Sequence, residues 1–445
     1  MADVAGSIRA VLARGVSTSA EIQRALELSQ PSVSRALSRL GDGIVRIGQR
    51  RAARYGLPLP IPGIGGAWPV FTISETGEPE LLGRLFSLHR DQYWFEATIP
   101  SRSALTDGLP IFLQDLRPQG FIGRTVPKRC PQLGLPERIG DWKDSDVLVY
   151  LVRRGDDAIG NIVIGDESLQ QFLRRKSAPI QPTETDSRKA VFTALARDAI
   201  AGEVAGSSAG GEHPKFTCVV AKAGTATNVL VKFSPTGADP VSRRWADLLV
   251  CEHLAITALK DAGLTESITE LLQGDGQVFL ETERFDRVGL TGRRGIVSLS
   301  AIDDCLIGRR ENWIGSARSL LAQSRISQRD VERIRSIETF GRLIGNTDMH
   351  PGNLSFFLSF DGPFVLAPIY DMLPMMYAPT AASTIPDRDF ELPLPNADSL
   401  DIWQDTAGIA IRYWTAVASH RLISPEFSGI AMRNSDRVRR AAGLA

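Results

Sequence analysis

The sequence predicts an α+β protein of about three domains, and three observations lead to this prediction. The first 57 residues contain helical patterns followed by two strand-like runs. Residues 67–165 and 203–290 alternate strand-like runs with turns, and helical patterns dominate from about residue 298 onwards. We divide the 445 residues into four segments: 1–57, 67–180, 181–295 and 296–445.

The first segment has the pattern of three short helices followed by a β-hairpin. Ser17-Thr18-Ser19 is suited to cap the second helix, and Pro31 is suited to open the third. Strand-like runs at 44–48 and 54–57 enclose a basic turn. Residues 1–56 hold nine arginines and four acidic residues, a net charge of +5 in a chain whose total is zero. This balance indicates an anionic partner for the first segment only.

This pattern resembles the winged helix-turn-helix family, in which the third helix enters the major groove of double-stranded DNA and the wing touches the backbone. The resemblance implies four base-reading residues and three phosphate-binding arginines: Gln30, Ser32, Ser34 and Arg35, with Arg50, Arg51 and Arg54. A homodimer would agree with winged helices that read two half-sites. The alternatives are a small helical domain that binds protein, or arginines that form only a solvated face.

The second segment follows an alternating-proline stretch, residues 57–63, which predicts a stiff and extended linker. Strand-like pieces at 70–73, 93–99 and 146–152 predict a small α+β subdomain over residues 67–180. Residues 178–187 form a polar connector to the third segment.

The third segment, residues 181–295, predicts β-rich structure around a helix at 242–261. A small-residue loop, 207–216, runs into a strand, and small residues let backbone N–H groups approach phosphate. The strand at 228–233 carries Lys232, and Glu252 on the helix is able to pair with it. The strand at 278–287 ends in charged residues where an adenine could find backbone groups. Each of these features also has a purely structural alternative. The loop could be a plain turn, Lys232 a charge at a sheet edge, Glu252 an exposed helix residue, and the charged strand end a set of surface ion pairs.

The fourth segment holds the most specific motif, Gly345-Asn-Thr-Asp-Met-His-Pro-Gly-Asn353, followed by Tyr370-Asp371. Asp348 precedes Asn353 by five residues, and Asp371 follows 18 residues later. Phosphoryl transfer from ATP requires a carboxylate that orients a hydroxyl group, and an amide and a carboxylate that hold Mg²⁺. Because apolar runs flank the motif, including one at 364–370 that predicts a strand leading to Asp371, we interpret it as a kinase site rather than a polar loop.

Composition excludes several other classes. The chain is 43% apolar, without 18 consecutive apolar residues or the apolar core of a signal peptide, so we expect a cytoplasmic protein and no membrane partner. Four scattered cysteines without a C-x-x-C pair predict half-buried thiols, and five histidines show no metal-ligand spacing.

From about residue 70 to 430 the chain resembles the HipA-like serine/threonine kinases, the toxin component of a bacterial toxin–antitoxin class. Four matching stretches carry this resemblance: 208–215, 283–287, 345–355 and 368–371, with a weaker match at 115–120. The resemblance implies a protein-kinase-like, two-lobe fold with a helical C-lobe at 296–445, an ATP-binding N-lobe at 181–295, and a protein substrate.

The resemblance also implies roles for individual residues. Asp348 is the implied catalytic base, and Asn353 and Asp371 are the implied Mg²⁺ ligands. The implied ATP-binding residues come from the small-residue loop, two lysines, the adenine-side strand and the catalytic loop: Ser208, Gly210, Gly211, Lys215, Lys232, Glu283, Phe285 and His350. Ser208 lies where the family autophosphorylates, and a phosphoserine there would repel ATP phosphates.

The chain departs from this family in two ways. Gly352 replaces the usual lysine before the motif asparagine, so we expect one contact near the γ-phosphate to be absent. The fused N-terminal module is usually a separate antitoxin. The sequence leaves two alternatives open: a DNA-binding regulator with a nucleotide-sensing body, and a small-molecule phosphotransferase of the aminoglycoside type, whose loop is similar.

Overall fold

The computed structural model describes residues 3–48, 53–202, 213–309, 311–380 and 382–443. Five residues with predicted roles lie outside these ranges: Arg50, Arg51, Ser208, Gly210 and Gly211.

The N-terminal module packs three helices against a small antiparallel sheet of order β1-β3-β2. Its elements are α1 (Val4–Leu12), β1 (Ser17–Thr18), α2 (Ser19–Leu26), α3 (Gln30–Leu40), β2 (Val45–Ile47) and β3 (Arg54–Gly56). Thr18 begins α2 with a capping box, since its hydroxyl accepts from the Glu21 N–H and the Glu21 carboxylate accepts from the Thr18 N–H. Apolar residues of all three helices share one core.

The proline-rich stretch after this module is extended, but it is not a free linker. The Leu59 N–H donates to the Ser87 carbonyl at 3.0 Å, and the His89 N–H donates to the Leu57 carbonyl at 3.1 Å. Apolar side chains of the module also pack against the neighbouring sheet in one cluster, which includes Ile47 and Trp94. The module is therefore fixed to the rest of the protein.

The middle domain is a five-stranded antiparallel sheet of order β7-β6-β5-β4-β8, covered by helices. Its strands are β4 (Ala67–Ile73), β5 (Pro79–Leu88), β6 (Gln92–Ala97), β7 (Ala104–Asp107) and β8 (Ile162–Ile164). Its helices are α4 (Ile111–Gln114), α5 (Gly120–Gly123), α6 (Val126–Arg129), α7 (Asp144–Arg154) and α8 (Asp166–Ser177).

The prediction of a strand at 146–152 was wrong, because these residues lie inside α7. The Asp146 carboxylate accepts from the Lys143 N–H at 2.9 Å, and acidic residues in the first turn and arginines in the last favour a helix. The side chains of Val147, Leu148, Leu151 and Val152 are buried on one helical face. Capping and tertiary burial outweigh the strand preference of the β-branched residues.

The kinase-like N-lobe is a four-stranded sheet of order β11-β12-β10-β9 between two helices. Its elements are α9 (Arg188–Ala201), β9 (Lys215–Lys222), β10 (Thr225–Phe233), α10 (Pro240–Asp261), β11 (Thr269–Gly274) and β12 (Gln277–Glu283), followed by a hairpin of β13 (Arg287–Val288) and β14 (Gly292–Arg293). Thr183 of the polar connector pairs with Val220, which covers the edge of β9.

The C-lobe is mainly helical but also contains a sheet of order β15-β16-β17. Its elements are β15 (Ile296–Ser298), α11 (Leu299–Ile302), α12 (Trp313–Ala322), α13 (Gln328–Leu343), β16 (Ser355–Phe357), β17 (Val365–Leu366), α14 (Trp403–Ser419) and α15 (Pro425–Ala441). The strand predicted at 364–370 ends after Leu366, and Pro368 has no N–H group to extend the pairing.

The predictions made from composition concern the burial of the cysteines, membrane-spanning helices and metal sites. Cys130 and Cys218 are half-buried as predicted, whereas Cys251 is buried and Cys305 is exposed, contrary to the half-buried state predicted for all four. Among the described residues, no helix is both long and apolar enough to cross a bilayer. The same residues hold no cluster of three or more His, Cys, Asp or Glu side chains arranged for a metal ion.

A buried ionic cluster joins the middle domain to the N-lobe. Asp286, 5% exposed, accepts from the Gly160 N–H at 3.0 Å and from the guanidinium groups of Arg284 and Arg287. Arg287 also donates to the Ala158 carbonyl at 2.8 Å. Burial opposes ionisation of Asp286, but the two arginines outweigh it and hold its pKa well below the usual range.

Replacing Asp286 should therefore weaken the whole assembly. Asp286→Asn leaves two buried arginines without their shared carboxylate, and we expect the free energy of unfolding to fall by about 3–5 kcal/mol. The control is Asp361→Asn, which breaks an exposed ion pair with Arg102 and should lower the free energy of unfolding far less, because solvent screens that pair. Denaturant titrations followed by tryptophan fluorescence measure both; equal effects would contradict the structural role of the cluster.

Candidate active site

A cavity of about 510 Å³ opens between the N-lobe, the C-lobe and the middle domain. Its size is in the range of sites that enclose small ligands. Most of the predicted site residues that the structure describes line it: Lys215, Lys232, Glu283, Phe285, His350, Asn353 and Asp371. Asp348 is not among the lining residues; it lies exposed in the same loop as His350 and Asn353.

Lys232 on β10 lies at the centre of a buried triad of charges. Its ammonium group donates to both Glu252 oxygens, at 2.6 and 2.7 Å, and to the Asp371 carboxylate. Lys232 is 6% exposed and Glu252 on α10 is 3% exposed. Burial opposes the charge of Lys232, but Asp371 and Glu252 raise its pKa above the usual value. The structure therefore brings together the lysine and the helix glutamate suggested by the sequence.

Asp371 has a backbone conformation that only a few residue types tolerate. Its φ is +54°, in the left-handed region, where aspartate is less disfavoured than most residues. The Asp371 N–H donates to Glu252 Oε1 at 3.2 Å, which fixes the strained segment. Burial alone would raise the pKa of Asp371, but Lys232 and Lys215 outweigh it and lower the pKa. The carboxylate is therefore ionised at neutral pH.

The loop that carries Asp348 is held by its own polar groups. The Asp348 N–H donates to Asn346 Oδ1 at 3.0 Å, and the Asp348 carbonyl accepts from Asn353 Nδ2 at 2.8 Å. Gly345 has a φ of +74°, and a Cβ atom there would lie 2.6 Å from the Met376 sulfur. Only glycine fits this position without displacing its neighbour.

The unusual glycine in this loop has a steric reason. A Cβ atom at Gly352 would lie 2.8 Å from Cε1 of His350, whose Nδ1 accepts from the Gly352 N–H at 3.0 Å. The His350 carbonyl accepts from Trp313 Nε1 at 3.0 Å. With His350 in this position, a larger residue at 352 would have to displace the imidazole.

The wall of the cavity that contains the end of β12 and the residues after it is aromatic and charged. The ring of Phe285 stacks on Tyr370, with 6.0 Å between centroids and 24° between planes, and meets Phe357 edge-on. Glu283 forms an ion pair of 3.0 Å with Lys222. Glu283, Arg284, Phe285 and Asp286 all line the cavity, and Arg284 and Asp286 also belong to the buried ionic cluster with Arg287.

Two lysines lie side by side on the N-lobe sheet. Lys215, 2% exposed, is the cross-strand partner of Lys232, so both side chains leave the same face of the sheet. His213 precedes them, donates from Nε2 to the Phe233 carbonyl at 3.1 Å and contacts the Trp245 ring. Burial, Lys232 and Lys215 together lower the pKa of His213 to about 3. This part of the cavity is suited to a polyanion.

The donor atoms at Asn353 and Asp371 fit a hard divalent cation. The Asn353 amide nitrogen donates to the Asp348 carbonyl, which leaves the amide oxygen as the atom able to bind a metal ion. Asp371 supplies an ionised carboxylate to the same cavity. Mg²⁺ is usually held by one or two such protein oxygens together with substrate phosphates.

The sequence interpretation missed the contribution of the middle domain. Gln114, Asp115, Arg117 and Gln119 line the cavity, and the Arg117 guanidinium donates to Asp144 at 2.7 Å and to the Trp142 carbonyl. The stretch 115–120 was noted only as a weak family match. Its place in the cavity depends on tertiary packing, which local patterns do not report.

Four of the five described candidates for DNA contact are exposed to solvent on the N-terminal module. Gln30, Ser34 and Arg35 of α3 are exposed, and Ser32 is half-buried. Arg54 of β3 is exposed in the strand that leads out of the predicted wing.

Known proteins match this chain over nearly all of its length. Residues 64–173 match the middle domain of YjjJ-like toxins, and residues 207–422 match the HipA-like C-terminal domain. Toxin YjjJ of Escherichia coli (strain K12) is 37% identical over 443 residues, covering 96% of each chain.

One solved structure supports the fold assignment, and a second shows a weaker similarity only. HipA from the Shewanella oneidensis MR-1 complex of HipA, HipB and operator DNA aligns with a TM-score of 0.51 at 15% identity, covering 84% of this chain and 96% of that one. The Helicobacter pylori proinflammatory kinase CtkA aligns at 15% identity with a TM-score of 0.37, over 51% of this chain and 92% of that one.

His213 should make the stability of the protein depend on pH. Because its folded pKa is about 3 and its unfolded value is 6.5, the unfolded chain binds an extra proton between these values. The free energy of unfolding should therefore fall as the pH drops through this window, by at most about 1.4 kcal/mol per pH unit from this group. His213→Gln should flatten the decline measured by denaturant titration between pH 7 and 4. His89→Gln, at a half-buried histidine that follows β5 and lies outside the cavity, is the matched control, and an unchanged slope in His213→Gln would refute the assignment.

Proposed function

This chain belongs to the HipA-like protein family that includes Toxin YjjJ, and on that premise we propose that it is an ATP- and Mg²⁺-dependent serine/threonine protein kinase with its own DNA-binding module. The observation that carries the proposal is the placement of the Lys232–Glu252 pair, Asn353 and Asp371 around one cavity, beside a loop that exposes Asp348. Each of these groups has a role in phosphoryl transfer.

In the proposed reaction, Asp348 accepts the proton of a serine or threonine hydroxyl. The hydroxyl oxygen then forms a bond to the γ-phosphorus while the bond to the bridging oxygen breaks and ADP leaves. The exposure of Asp348 supports this role because a protein substrate must reach it from solvent. Lys232 and Lys215 balance the charge of the phosphates, and Glu283 and Phe285 border the adenine.

Asn353 and Asp371 would hold Mg²⁺. Bound there, the ion would supply positive charge that offsets the negative charge developing during transfer. Glu252 acts on both sides of this arrangement, since it pairs with Lys232 and accepts from the Asp371 N–H. This double contact supports a positioning role for Glu252.

Ser208, with Gly210 and Gly211, is proposed to form the phosphate-binding loop and to be its autophosphorylation site. These residues lie outside the described ranges, so the support comes from their neighbours: the loop leads to His213 and Lys215 at the cationic end of the cavity. A phosphate group of about −1.5 to −2 charge on Ser208 would compete with ATP for the lysines and switch the enzyme off.

We also propose that residues 1–57 bind double-stranded DNA, with a homodimer reading two half-sites. The exposed polar face of α3 and the net charge of +5 support this function. We further propose that the protein acts in the cytoplasm. The solved HipA relative was captured with HipB and operator DNA, which makes a DNA-bound state a reasonable one to test here.

The kinase proposal predicts ATP-dependent labelling. With [γ-³²P]ATP and Mg²⁺, we expect label on the protein itself or on lysate proteins, reduced at least about 100-fold in Asp348→Ala and Asp371→Asn. The exposed Asp387→Ala is the control and should label like wild type. Mass spectrometry should place self-labelling at Ser208, and Ser208→Ala should abolish it.

Other outcomes of this experiment would redirect the assignment. Transfer to an aminoglycoside but not to any protein would identify a small-molecule phosphotransferase. ATP binding without transfer to either acceptor would favour a nucleotide-sensing DNA-binding regulator. Self-labelling at another residue, with Ser208 unmodified, would refute only the proposed switch.

The DNA-binding proposal predicts a salt-dependent interaction with a random 30-base-pair duplex. Because each phosphate contact releases a counterion, Arg54→Ala should reduce the slope of log affinity against log salt concentration by about 0.9. Arg197→Ala, an exposed arginine on α9, should leave the slope unchanged. Fluorescence anisotropy measures both variants, and equal slopes for Arg54→Ala and wild type would exclude Arg54 from the interface.

A further inference from the structure

A carboxylate of the middle domain is hydrogen-bonded into the C-lobe next to the cavity. Asp115 Oδ2 accepts from the Ser298 N–H, and Oδ1 accepts from the Ser298 hydroxyl, both at 2.6 Å. The Ser298 hydroxyl in turn accepts from the Ala301 N–H at 3.1 Å and so caps α11. Both oxygens of Asp115 and both roles of the hydroxyl are therefore used.

This contact continues, residue by residue, to the catalytic loop. Ser298 on β15 is the cross-strand partner of Ser355 on β16. Ser355 Oγ lies 2.7 Å from the Tyr370 hydroxyl, which donates to the Gly352 carbonyl at 2.9 Å. Gly352 lies in the loop between Asp348 and Asn353, and Tyr370 immediately precedes Asp371.

Tyr370 connects the pair of strands β15 and β16 to the loop that carries Asp348 and Asn353. Its hydroxyl has a hydrogen-bond partner on each side, Ser355 Oγ and the Gly352 carbonyl. Its ring is stacked on Phe285, so the hydroxyl has little freedom to find another partner. A shift of Ser355 would therefore move Tyr370, which donates to the Gly352 carbonyl of the loop and directly precedes Asp371 in the chain.

We propose that Asp115 is a positioning residue for phosphoryl transfer, acting through Ser298, Ser355 and Tyr370 to fix the catalytic loop. The inference rests on the proposed kinase function and extends the catalytic apparatus to the middle domain. Groups that orient catalytic residues without touching the reacting atoms commonly affect rates by 10–100-fold. A displacement of about 1 Å in a catalytic group can have a comparable effect.

The chain offers a matched control at another contact with the C-lobe, between α10 of the N-lobe and the start of α15. Asp247, 2% exposed, accepts from the Ser424 N–H and from the Ser424 hydroxyl, both at 2.7 Å. Ser424 caps α15 just as Ser298 caps α11. The two aspartates make the same pair of hydrogen bonds, but Asp247 does not line the cavity.

The test compares full-length Asp115→Asn, Tyr370→Phe and Asp247→Asn proteins. An asparagine can accept only with its one oxygen, so each Asp→Asn change removes one hydrogen bond to its serine. We expect Asp115→Asn and Tyr370→Phe to lower kcat about 10- to 100-fold, with KM for ATP changed less than about threefold. Hydrogen–deuterium exchange of residues 346–356 should be faster in both variants and unchanged in Asp247→Asn.

Three results would overturn the proposal: unchanged kcat and exchange in Asp115→Asn, an effect on KM alone, or the same changes in Asp247→Asn. An effect on KM alone would make Asp115 a direct nucleotide contact. If Asp115→Asn does not fold, Tyr370→Phe decides the question, because it cuts the chain of contacts and keeps the ring on Phe285. If wild-type protein transfers no phosphate, the kinase proposal fails, whereas the exchange measurement still decides this inference.

Discussion

The arrangement of the site depends on the burial of one ammonium group. A charge as inaccessible as that of Lys232 is tolerated only with well-placed partners, because its loss of hydration costs several kcal/mol. The partners come from α10 and from the segment after β17, so a single charge requires the sheet, the helix and the C-lobe to meet at one point. The left-handed backbone of Asp371 persists because these contacts hold the residue from several directions.

A second set of polar contacts makes the middle domain part of the same unit. The cluster around Asp286 joins it to the N-lobe, and the Asp115–Ser298 contact joins it to the C-lobe. Buried polar groups of this kind specify one arrangement, since a shifted arrangement would leave donors and acceptors unpaired. The cavity is thus the product of three packed units and not of two lobes alone.

Much of the site was accessible from the sequence because its signals are local. The catalytic loop is a short motif, and the pairing of Lys232 with Glu252 follows from one strand and one helix. The helix α7 was mistaken for a strand because its apolar run is rich in β-branched residues, while the capping groups that decide its fold lie at its ends. Asp115 was not assigned a role because its partner is 183 residues away, and no periodicity connects them. The HipA-like fold was predicted correctly, while the residue roles still rest on the proposed chemistry.

The attachment of the N-terminal module constrains which residues can occupy the middle-domain sheet as related proteins diverge. Leu88 and Trp94 of the middle-domain sheet are buried beneath Val45 and Ile47 of the module. If a gene lost its first 57 codons, this apolar face would meet water, and the truncated protein would tend to self-associate. HipA-like chains that lack the module would therefore need polar residues on the corresponding strands. Fusion and fission of the module should therefore leave a record in the surface composition of the middle-domain sheet.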